Sequence, residues 1–431
     1  MRIKQRVGDF RVRELLVDGC LLAQGEHRVY RVTKRKLTTP EAARILAAEA
    51  GVDVGEVEFA GLKDRQAITI QHMSVAGGRD VRMQSPELKI DTAGFAAASL
   101  TAESSRGNAF ELTVRALRRD ELVLLRRSLP IVREHGLVNY FDDQRFGNLK
   151  HGQGWIAAAL MRGRHEEALR TLLSARSPHD DPRRARFKDE IVRAWGDWRA
   201  CRDVAGRFGQ HHSVFEHLTR TGDDFAGAFY HVATQLRLIH LYAFQSHLWN
   251  RAVVELVRDQ VPVGERLALA SEEGPLVTYA GAPPPDLAAR AAFRLPGAGF
   301  NDVADRVEYD LLEDALAREE LVPDAFRVEG VPGFQLKGEA RPLLVHPRHL
   351  RVRPAEEDEL NRGHHRVRIR FELPRGAYAT LVVKRLFARP VAEERRRARQ
   401  RAAHPRAGSG GPPPERRPGP GGEAPGRGRR R

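Results

Sequence analysis

Residues 366–373 read Arg-Val-Arg-Ile-Arg-Phe-Glu-Leu, an uninterrupted alternation of polar and apolar side chains near the end of the chain. A period of two is typical of a strand with one buried face, and such a strand needs neighbouring strands to be stable. The residues before it, from about 155 to 345, carry helical patterns, whereas the other strand-like segments lie in the first third. The sequence therefore predicts an α+β fold whose sheet is assembled from both ends of the chain, with the middle inserted as a second domain.

The N-terminal third supplies the segments that could pair with this strand. Each is short, rich in β-branched or aromatic residues and bounded by turn residues. The predicted strands cover residues 27–34, 57–60, 67–75 and 108–117.

Two helices are predicted among these strands. Thr39 suits the N-cap of the first, and Gly51 suits its end. The second runs from residue 120 towards 134, and Pro130 is expected to disturb it because proline lacks the N–H that an interior helical position donates.

Residues 61–66, Gly-Leu-Lys-Asp-Arg-Gln, lie between two of the predicted strands. A rigid sheet can hold functional groups at the surface on such a loop. Asp64 stands between Lys63 and Arg65, and nearby positive charge favours the ionised carboxylate that a nucleophile or general base requires. The alternative interpretation of this triplet is a solvated turn.

Residues 139–147 combine aromatic, amide and arginine side chains within one short segment. Aromatic faces stack on unpaired bases, amides such as Asn139 and Gln144 can contact base edges, and a guanidinium such as that of Arg145 can hold phosphate. The segment is typical of a nucleotide site. The alternative is that its aromatic residues are core and its polar residues cap turns.

Charge and composition limit the class of protein. The net charge is +15 over 431 residues, and residues 389–431 hold 13 arginines against 4 glutamates without apolar periodicity. We expect a disordered basic tail there, which either attracts RNA non-specifically or is only a solvated terminus. Two cysteines, no signal peptide and no run approaching ~20 apolar residues predict a cytoplasmic protein without a membrane span.

Metal and nucleotide cofactors have no support in the sequence. His211, His212, His217 and Glu216 lack the spacing that places two ligands and a base on one helix face. The glycine-rich segment 295–300 matches neither a P-loop nor a dinucleotide fingerprint. We therefore predict no metal site and no cofactor.

Six elements in the same order resemble the TruD family of tRNA pseudouridine synthases. Together they span about residues 4 to 385. The elements are Lys4 with Asp9-Phe10, the loop 59–67, Gly-Asn-Ala-Phe at 107–110, Asn-Tyr-Phe-Asp-Asp-Gln-Arg-Phe-Gly at 139–147, Ser-His-Leu-Trp-Asn at 246–250, and Leu-Pro-Arg-Gly-Ala-Tyr-Ala-Thr at 373–380.

The resemblance implies an architecture. A catalytic domain with a mixed, largely antiparallel sheet would comprise residues 1–150 and 346–388. A mainly helical α/β TRUD insertion domain would comprise residues 151–345, and the tail 389–431 lies outside the match. A monomer is expected.

The resemblance also implies a reaction, the isomerisation of uridine to pseudouridine in tRNA, most specifically at position 13. Asp64 would be the catalytic carboxylate, acting on a uridine turned out of its stack. By the match, Phe10 and Tyr378 border the base, Asn139 binds it and Phe141 helps to shape the pocket.

Lys4 is the first candidate for the ionic partner of Asp64, and Lys63 and Arg65 are rivals. The alternatives to this function are the same chemistry on another RNA, or a non-catalytic relative that binds RNA.

The chain departs from the family pattern at three places. Val7-Gly8 replaces the usual Pro-Glu and could alter the turn before Phe10. Asp142 replaces a glycine, which would cost free energy if the position needs a positive φ. Trp249 replaces a phenylalanine, which we interpret as repacking.

Overall fold

The computed structural model describes residues 1–147, 154–177, 180–300, 303–326, 328, 331, 336–394 and 396. Residues Met1–Pro390 form one compact unit, to which the described residues after Pro390 do not belong. Most of the predicted disordered tail lies outside the described residues. Arg389 and Pro390, which the sequence prediction assigned to the start of that tail, are part of a strand instead.

The strands come in two groups, separated by a long helical stretch. In chain order they are β1 (Phe10–Leu16), β2 (His27–Arg35), β3 (Glu58–Phe59), β4 (Ile68–Ala76), β5 (Met83–Gln84), β6 (Leu88–Ala96), β7 (Ser105–Leu117), β8 (Leu137–Val138), β9 (Arg266–Leu269), β10 (Leu276–Tyr279), β11 (Ala292–Arg294), β12 (Ala340–Pro342), β13 (Leu344–Val345), β14 (Arg348–Val352), β15 (Glu356–Glu357), β16 (His365–Pro374) and β17 (Arg389–Pro390).

The main sheet has ten strands, in the order β14-β16-β7-β1-β4-β2-β6-β5, with β15 beside β16 and β3 beside β4. Only the β1–β4 pair of this sheet is parallel within the described residues, and Arg11 there faces Ile68. The late strand β16 pairs antiparallel with β7, which places Phe371 opposite Phe110. The predicted α+β fold, with a sheet from both ends of the chain, is confirmed.

The helices lie mainly between β8 and β13. They are α1 (Thr39–Ala50), α2 (Arg119–His135), α3 (Ile156–Met161), α4 (His165–Ser174), α5 (Pro182–Ala194), α6 (Trp198–Phe208), α7 (His212–Thr221), α8 (Phe225–Tyr230), α9 (Thr234–Gln260), α10 (Pro285–Ala289), α11 (Arg306–Ala317) and α12 (Ala379–Leu386). Across the described part of the chain, none of these helices is both long and apolar enough to cross a bilayer. The division into domains at residues 150 and 345 stays a prediction.

Two helix predictions were wrong in detail. The N-cap of α1 is Thr38, which forms a capping box with Glu41, because the Thr39 hydroxyl is engaged by Gln71 instead. Helix α2 runs without interruption through Pro130. Pro130 is exposed, so solvent can satisfy the carbonyl that has lost its donor one turn earlier.

The two faces of the main sheet differ. Along β1 the side chains of Phe10, Val12 and Glu14 are buried, whereas Arg11 and Arg13 are exposed. Helix α1 covers one half of the buried face, and the other half shares a continuous core with α2 and α12. The loop between β3 and β4, which carries Asp64, is bound by the buried Lys34 of β2 through two of its carbonyls.

Candidate active site

Both carboxylate oxygens of Asp64 are held by side chains from distant parts of the chain. Lys4 Nζ donates to Oδ2 at 2.7 Å, and Gln144 Nε2 donates to Oδ1 at 2.8 Å. The side chain of Asp64 is 24% exposed, so it stays accessible to a substrate. The sequence placed these three residues in separate motifs, and the fold brings them into contact.

The N-terminal segment places Lys4 at this carboxylate. Lys4 has a φ of 58°, in the left-handed region, and its ammonium lies 4.1 Å from the centroid of the Phe10 ring. The Val7–Asp9 segment forms a 3₁₀ turn, and the Asp9 carboxylate accepts hydrogen bonds from the Arg6 N–H and from Arg115. The turn thus forms with Val7-Gly8 in it, and Phe10 begins β1.

The other two basic candidates bind elsewhere. Lys63 Nζ lies 2.7 Å from Glu14 Oε1, and the Arg65 guanidinium donates to the carbonyl of Lys36 at 3.1 Å. Burial favours the neutral form of Glu14, but the hydrogen bonds from His72 and the charge of Lys63 outweigh it and lower the pKa of Glu14. Lys63 and Arg65 therefore fix the loop, while Lys4 contacts the Asp64 carboxylate.

A cavity of about 460 Å³ opens beside Asp64. Aromatic and apolar side chains form much of its wall, together with several polar and charged side chains. Its lining comprises Phe10, Val12, Leu62, Lys63, Asp64, Asn108, Phe110, Gln144, Arg145, Ile239, Gly376, Ala377, Tyr378, Ala379 and Thr380.

A larger groove, of about 560 Å³, includes the exposed arginines of the other sheet face, among them Arg11 and Arg13. Its lining also holds an ion pair, between Arg370 and Glu111 at 2.6 Å, but it lacks Asp64, whose carboxylate is oriented by hydrogen bonds from both Lys4 and Gln144. Because chemistry needs an accessible and oriented reactive group, the smaller cavity is the candidate active site.

Tyr378 forms one wall of the cavity, and Phe141 lies behind it. The two rings meet edge to face with centroids 6.2 Å apart, and Phe141 packs in turn on Trp249 at 5.6 Å. Burial raises the pKa of Tyr378, so its hydroxyl is neutral near pH 7. Phe141 thus shapes the cavity through Tyr378 and is not part of its surface.

Asn139 does not line this cavity among the residues that the structure describes. Its amide donates to the carbonyl of Pro342 at 3.0 Å and accepts from Arg341 at 3.1 Å. Arg341 also donates to the carbonyl of Gly376 at 3.0 Å and lies 3.9 Å from the centroid of the Phe141 ring. The predicted contact between Asn139 and a base stays a prediction.

Residues 246–250 support the segment that carries Gln144 and Arg145. The Asn250 side chain bonds both the N–H and the carbonyl of Phe141, each at 2.9 Å, and Arg145 donates to the Ser246 hydroxyl at 3.0 Å. Trp249 is fully buried, and its indole N–H donates to the carbonyl of Phe293 at 3.1 Å.

Asp142 adopts an ordinary extended conformation, with a φ of −100°. Asp142 therefore does not need a positive φ, and the free-energy cost expected for an aspartate with a positive φ is absent. Its buried carboxylate accepts from the Thr380 hydroxyl and from Lys384 Nζ, the latter at 2.5 Å. The glycine-to-aspartate departure thus adds a link between this segment and α12, directly after Tyr378.

Four residues at the site were not singled out by sequence reasoning as functional. Glu14, Lys34 and Arg341 are buried charged residues, and each has at least one hydrogen-bond partner that is distant in the chain. Asn108 lines the cavity, and its Oδ1 is buried without a hydrogen-bond partner among the described residues. A polar residue on the apolar side of a predicted strand is the signal that could have identified Lys34 and Asn108, whereas Glu14 lies in β1, which is not among the strands predicted from the sequence.

Comparisons with known proteins show the family of this chain. A family model described as tRNA pseudouridine synthase D (TruD) matches residues 1–386. The chain is 29% identical to the probable tRNA pseudouridine synthase D 2 of Methanocaldococcus jannaschii, covering 92% of this chain and 94% of that protein. It is 26% identical to the tRNA pseudouridine synthase D of Aquifex aeolicus, covering 91% and 99%.

The fold is similar to a crystal structure assigned as TruD from Methanosarcina mazei. The TM-score is 0.67 at 22% sequence identity, and the similarity covers 90% of this chain and 93% of that one.

Proposed function

The chain belongs to the TruD family of tRNA pseudouridine synthases, and from that membership we propose that it isomerises uridine 13 of tRNA with Asp64 as the catalytic carboxylate. It is a tRNA pseudouridine synthase, and thus an isomerase. The position in the tRNA and the role of Asp64 are the proposed parts.

The observation that carries the proposal is the fixed Asp64 carboxylate at the wall of a cavity with aromatic sides. Pseudouridine formation breaks the bond from the sugar C1′ to N1 of the base and forms a bond from C1′ to C5. The proton on C5 is lost, and N1 gains one. Asp64 could start the reaction either by attack on C1′ or by removal of a sugar proton, and both routes need an ionised and oriented carboxylate.

The substrate must leave its stack to reach Asp64, at a cost of a few kcal/mol. Phe10 and Tyr378 line the cavity and are proposed to border the base, since base–aromatic stacking is worth about 1–3 kcal/mol. Asn108 also lines the cavity, and its side-chain amide is proposed to hydrogen-bond the base or the ribose.

The remaining polar residues are proposed to act around this centre. Gln144 orients Asp64, and Arg145, at the cavity wall, binds a phosphate of the target strand. Asn139 and Phe141 are proposed to support the base site from behind Tyr378. Arg341 links Asn139 to Gly376, in the segment that precedes Tyr378.

Further proposals concern the whole chain. Residues 151–345 form the insertion domain and select the RNA, and the protein works as a cytoplasmic monomer without metal or cofactor. These proposals rest on the family membership and on the ordered motifs.

The test is to incubate the purified protein with an unmodified tRNA transcript that has uridine at position 13 and to map pseudouridine along it. A transcript with cytidine at that position is the control. We expect pseudouridine at position 13 alone. Pseudouridine elsewhere or only in another RNA would refute the assigned position, and none in any cellular RNA would identify a non-catalytic relative.

A further inference from the structure

Lys34 is a buried lysine directly beneath the Asp64 loop. The residue is 1% exposed and points from β2 to the covered face of the sheet. Removing an ammonium group from water is costly unless its hydrogen bonds are replaced. Lys34 therefore needs hydrogen-bond acceptors inside the protein.

All three N–H groups of Lys34 donate to backbone carbonyls. The acceptors are Leu37 O at 2.8 Å, Lys63 O at 3.1 Å and Asp64 O at 3.0 Å. No carboxylate forms an ion pair with Lys34 within the described part of the chain. Lys34 thus acts through directed hydrogen bonds.

Two of these carbonyls belong to the peptide groups on either side of the Asp64 Cα atom. The carbonyl of Lys63 lies in the peptide group that precedes Cα, and the carbonyl of Asp64 lies in the one that follows it. Peptide groups are planar, so holding both carbonyls fixes both planes. The direction of the Cα–Cβ bond is then restrained, and the hydrogen bonds from Lys4 and Gln144 to the carboxylate oxygens set the two side-chain torsions.

A second set of contacts ties the loop to the connection between β2 and α1. The N–H of Lys63 donates to the Thr39 hydroxyl at 2.9 Å, and Arg65 donates to the carbonyl of Lys36 at 3.1 Å. Lys34 adds Leu37 of the same connection. The loop is therefore docked on a rigid strand–helix junction.

We infer that Lys34 is a positioning residue for catalysis, which aligns the Asp64 carboxylate through its two flanking peptide groups without touching the uridine. This inference rests on the proposed function. Chemistry depends on sub-ångström alignment, and a misplacement of about 1 Å can cost roughly 100-fold in rate. Removing Lys34 should consequently lower kcat and leave KM for tRNA nearly unchanged.

The test compares Lys34→Met and Lys34→Gln with wild-type protein, well below the melting temperature of each. We expect a loss in the single-turnover rate constant of roughly 10- to 100-fold, with KM changed by less than about twofold. Lys188→Met is the matched control, because Lys188 is 2% exposed and pairs with Asp180 in the helical region. It should lower the melting temperature and leave the single-turnover rate constant at saturating protein unchanged. Because Lys188 lies in the stretch proposed to select the RNA, only this rate constant, and not KM, is compared.

A wild-type rate in folded Lys34 variants would overturn the inference, as would a loss confined to KM. If wild-type protein forms no pseudouridine, or if Asp64→Asn is active, the proposed function itself fails. Normal turnover by Lys34→Met beside an inactive Asp64→Asn would refute only the role of Lys34.

Should neither Lys34 variant fold, the wild-type protein provides the test. A neutral amine has two N–H donors and one lone pair, so it cannot bond all three carbonyls. The charged groups acting on Lys34 are Asp64 and Lys63 of the loop and Glu41 of α1, and burial lowers its pKa to about 8. The single-turnover rate should therefore fall above about pH 8 at unchanged KM, and a flat profile from about pH 7 to about pH 9.5 would overturn the inference.

Discussion

Lys4 Nζ lies 2.7 Å from Oδ2 of Asp64 and, at the same time, 4.1 Å from the centroid of the Phe10 ring. One cation therefore contacts both the proposed catalytic carboxylate and a proposed wall of the base site. Lys4 comes from the turn before β1 and Asp64 from the loop before β4, so the pair depends on the parallel register of these two strands.

Replacing Lys4 with methionine should lower kcat by roughly 10- to 100-fold, because a hydrogen bond to a charged group is worth about 1.5–3 kcal/mol. Gln144→Leu should have a smaller effect, since it removes a neutral donor from the other oxygen. Single-turnover kinetics with a tRNA transcript measure both. Equal rates for Lys4→Met and wild type would remove Lys4 from the site.

Replacing Asn108 with leucine should lower the activity without lowering the stability. A buried acceptor without a partner costs about 1–3 kcal/mol, so an apolar side chain of similar size should leave the free energy of unfolding unchanged or raise it. Because the substrate then loses a hydrogen bond, kcat/KM should fall roughly tenfold or more. Urea unfolding and steady-state kinetics check the two effects. Lower stability with full activity would show that Asn108 is only structural.

Lys384→Met should destabilise the protein by about 3 kcal/mol, because it leaves the Asp142 and Asp143 carboxylates without their cation. Burial alone would lower the pKa of Lys384, but the charge of Asp142 and the bonds to both carboxylates raise it. The control is Arg370→Met at the exposed Arg370–Glu111 pair, where we expect less than about 1 kcal/mol. If urea unfolding shows similar losses in the free energy of unfolding for Lys384→Met and Arg370→Met, a structural role for the Asp142–Lys384 pair is contradicted.

As the pH rises, the contribution of Lys34 to the free energy of unfolding should increase, whereas the single-turnover rate should fall. Burial lowers the pKa of Lys34 to about 8, whereas an unfolded lysine titrates near about 10.4. Between these values the unfolded chain binds more protons, so the contribution of Lys34 to the free energy of unfolding rises with pH. Subtracting the urea-derived values of Lys34→Met from those of wild type at each pH isolates this contribution. A fall in this difference above pH 8 would contradict the buried, charged lysine.

Much of the fold followed from the sequence because the relevant signals are local. The alternation in residues 366–373 identified β16, and the turn residues around positions 61–66 identified the Asp64 loop. The course of α2 through Pro130 did not follow, because it depends on the solvent exposure of that turn.

The candidate site was harder to predict because its geometry is non-local. The family resemblance pointed to Asp64, Phe10 and Tyr378 and made Lys4 the first candidate for the ionic partner of Asp64, but Lys63 and Arg65 remained as rivals. Only the fold shows that Lys63 contacts Glu14, from β1, while Lys4 contacts Asp64. The three carbonyls that Lys34 binds have no sequence signature, because every residue carries a carbonyl.

The role of Asp64 is tested most directly by Asp64→Asn, which keeps the shape of the side chain and removes its charge. The measurement is pseudouridine formed per enzyme in a single turnover at saturating protein, together with the affinity for the same tRNA. We predict no detectable pseudouridine and a dissociation constant within about threefold of wild type, since binding is spread over many contacts. Pseudouridine formation by Asp64→Asn at the wild-type rate would contradict the assignment of Asp64 as the catalytic carboxylate.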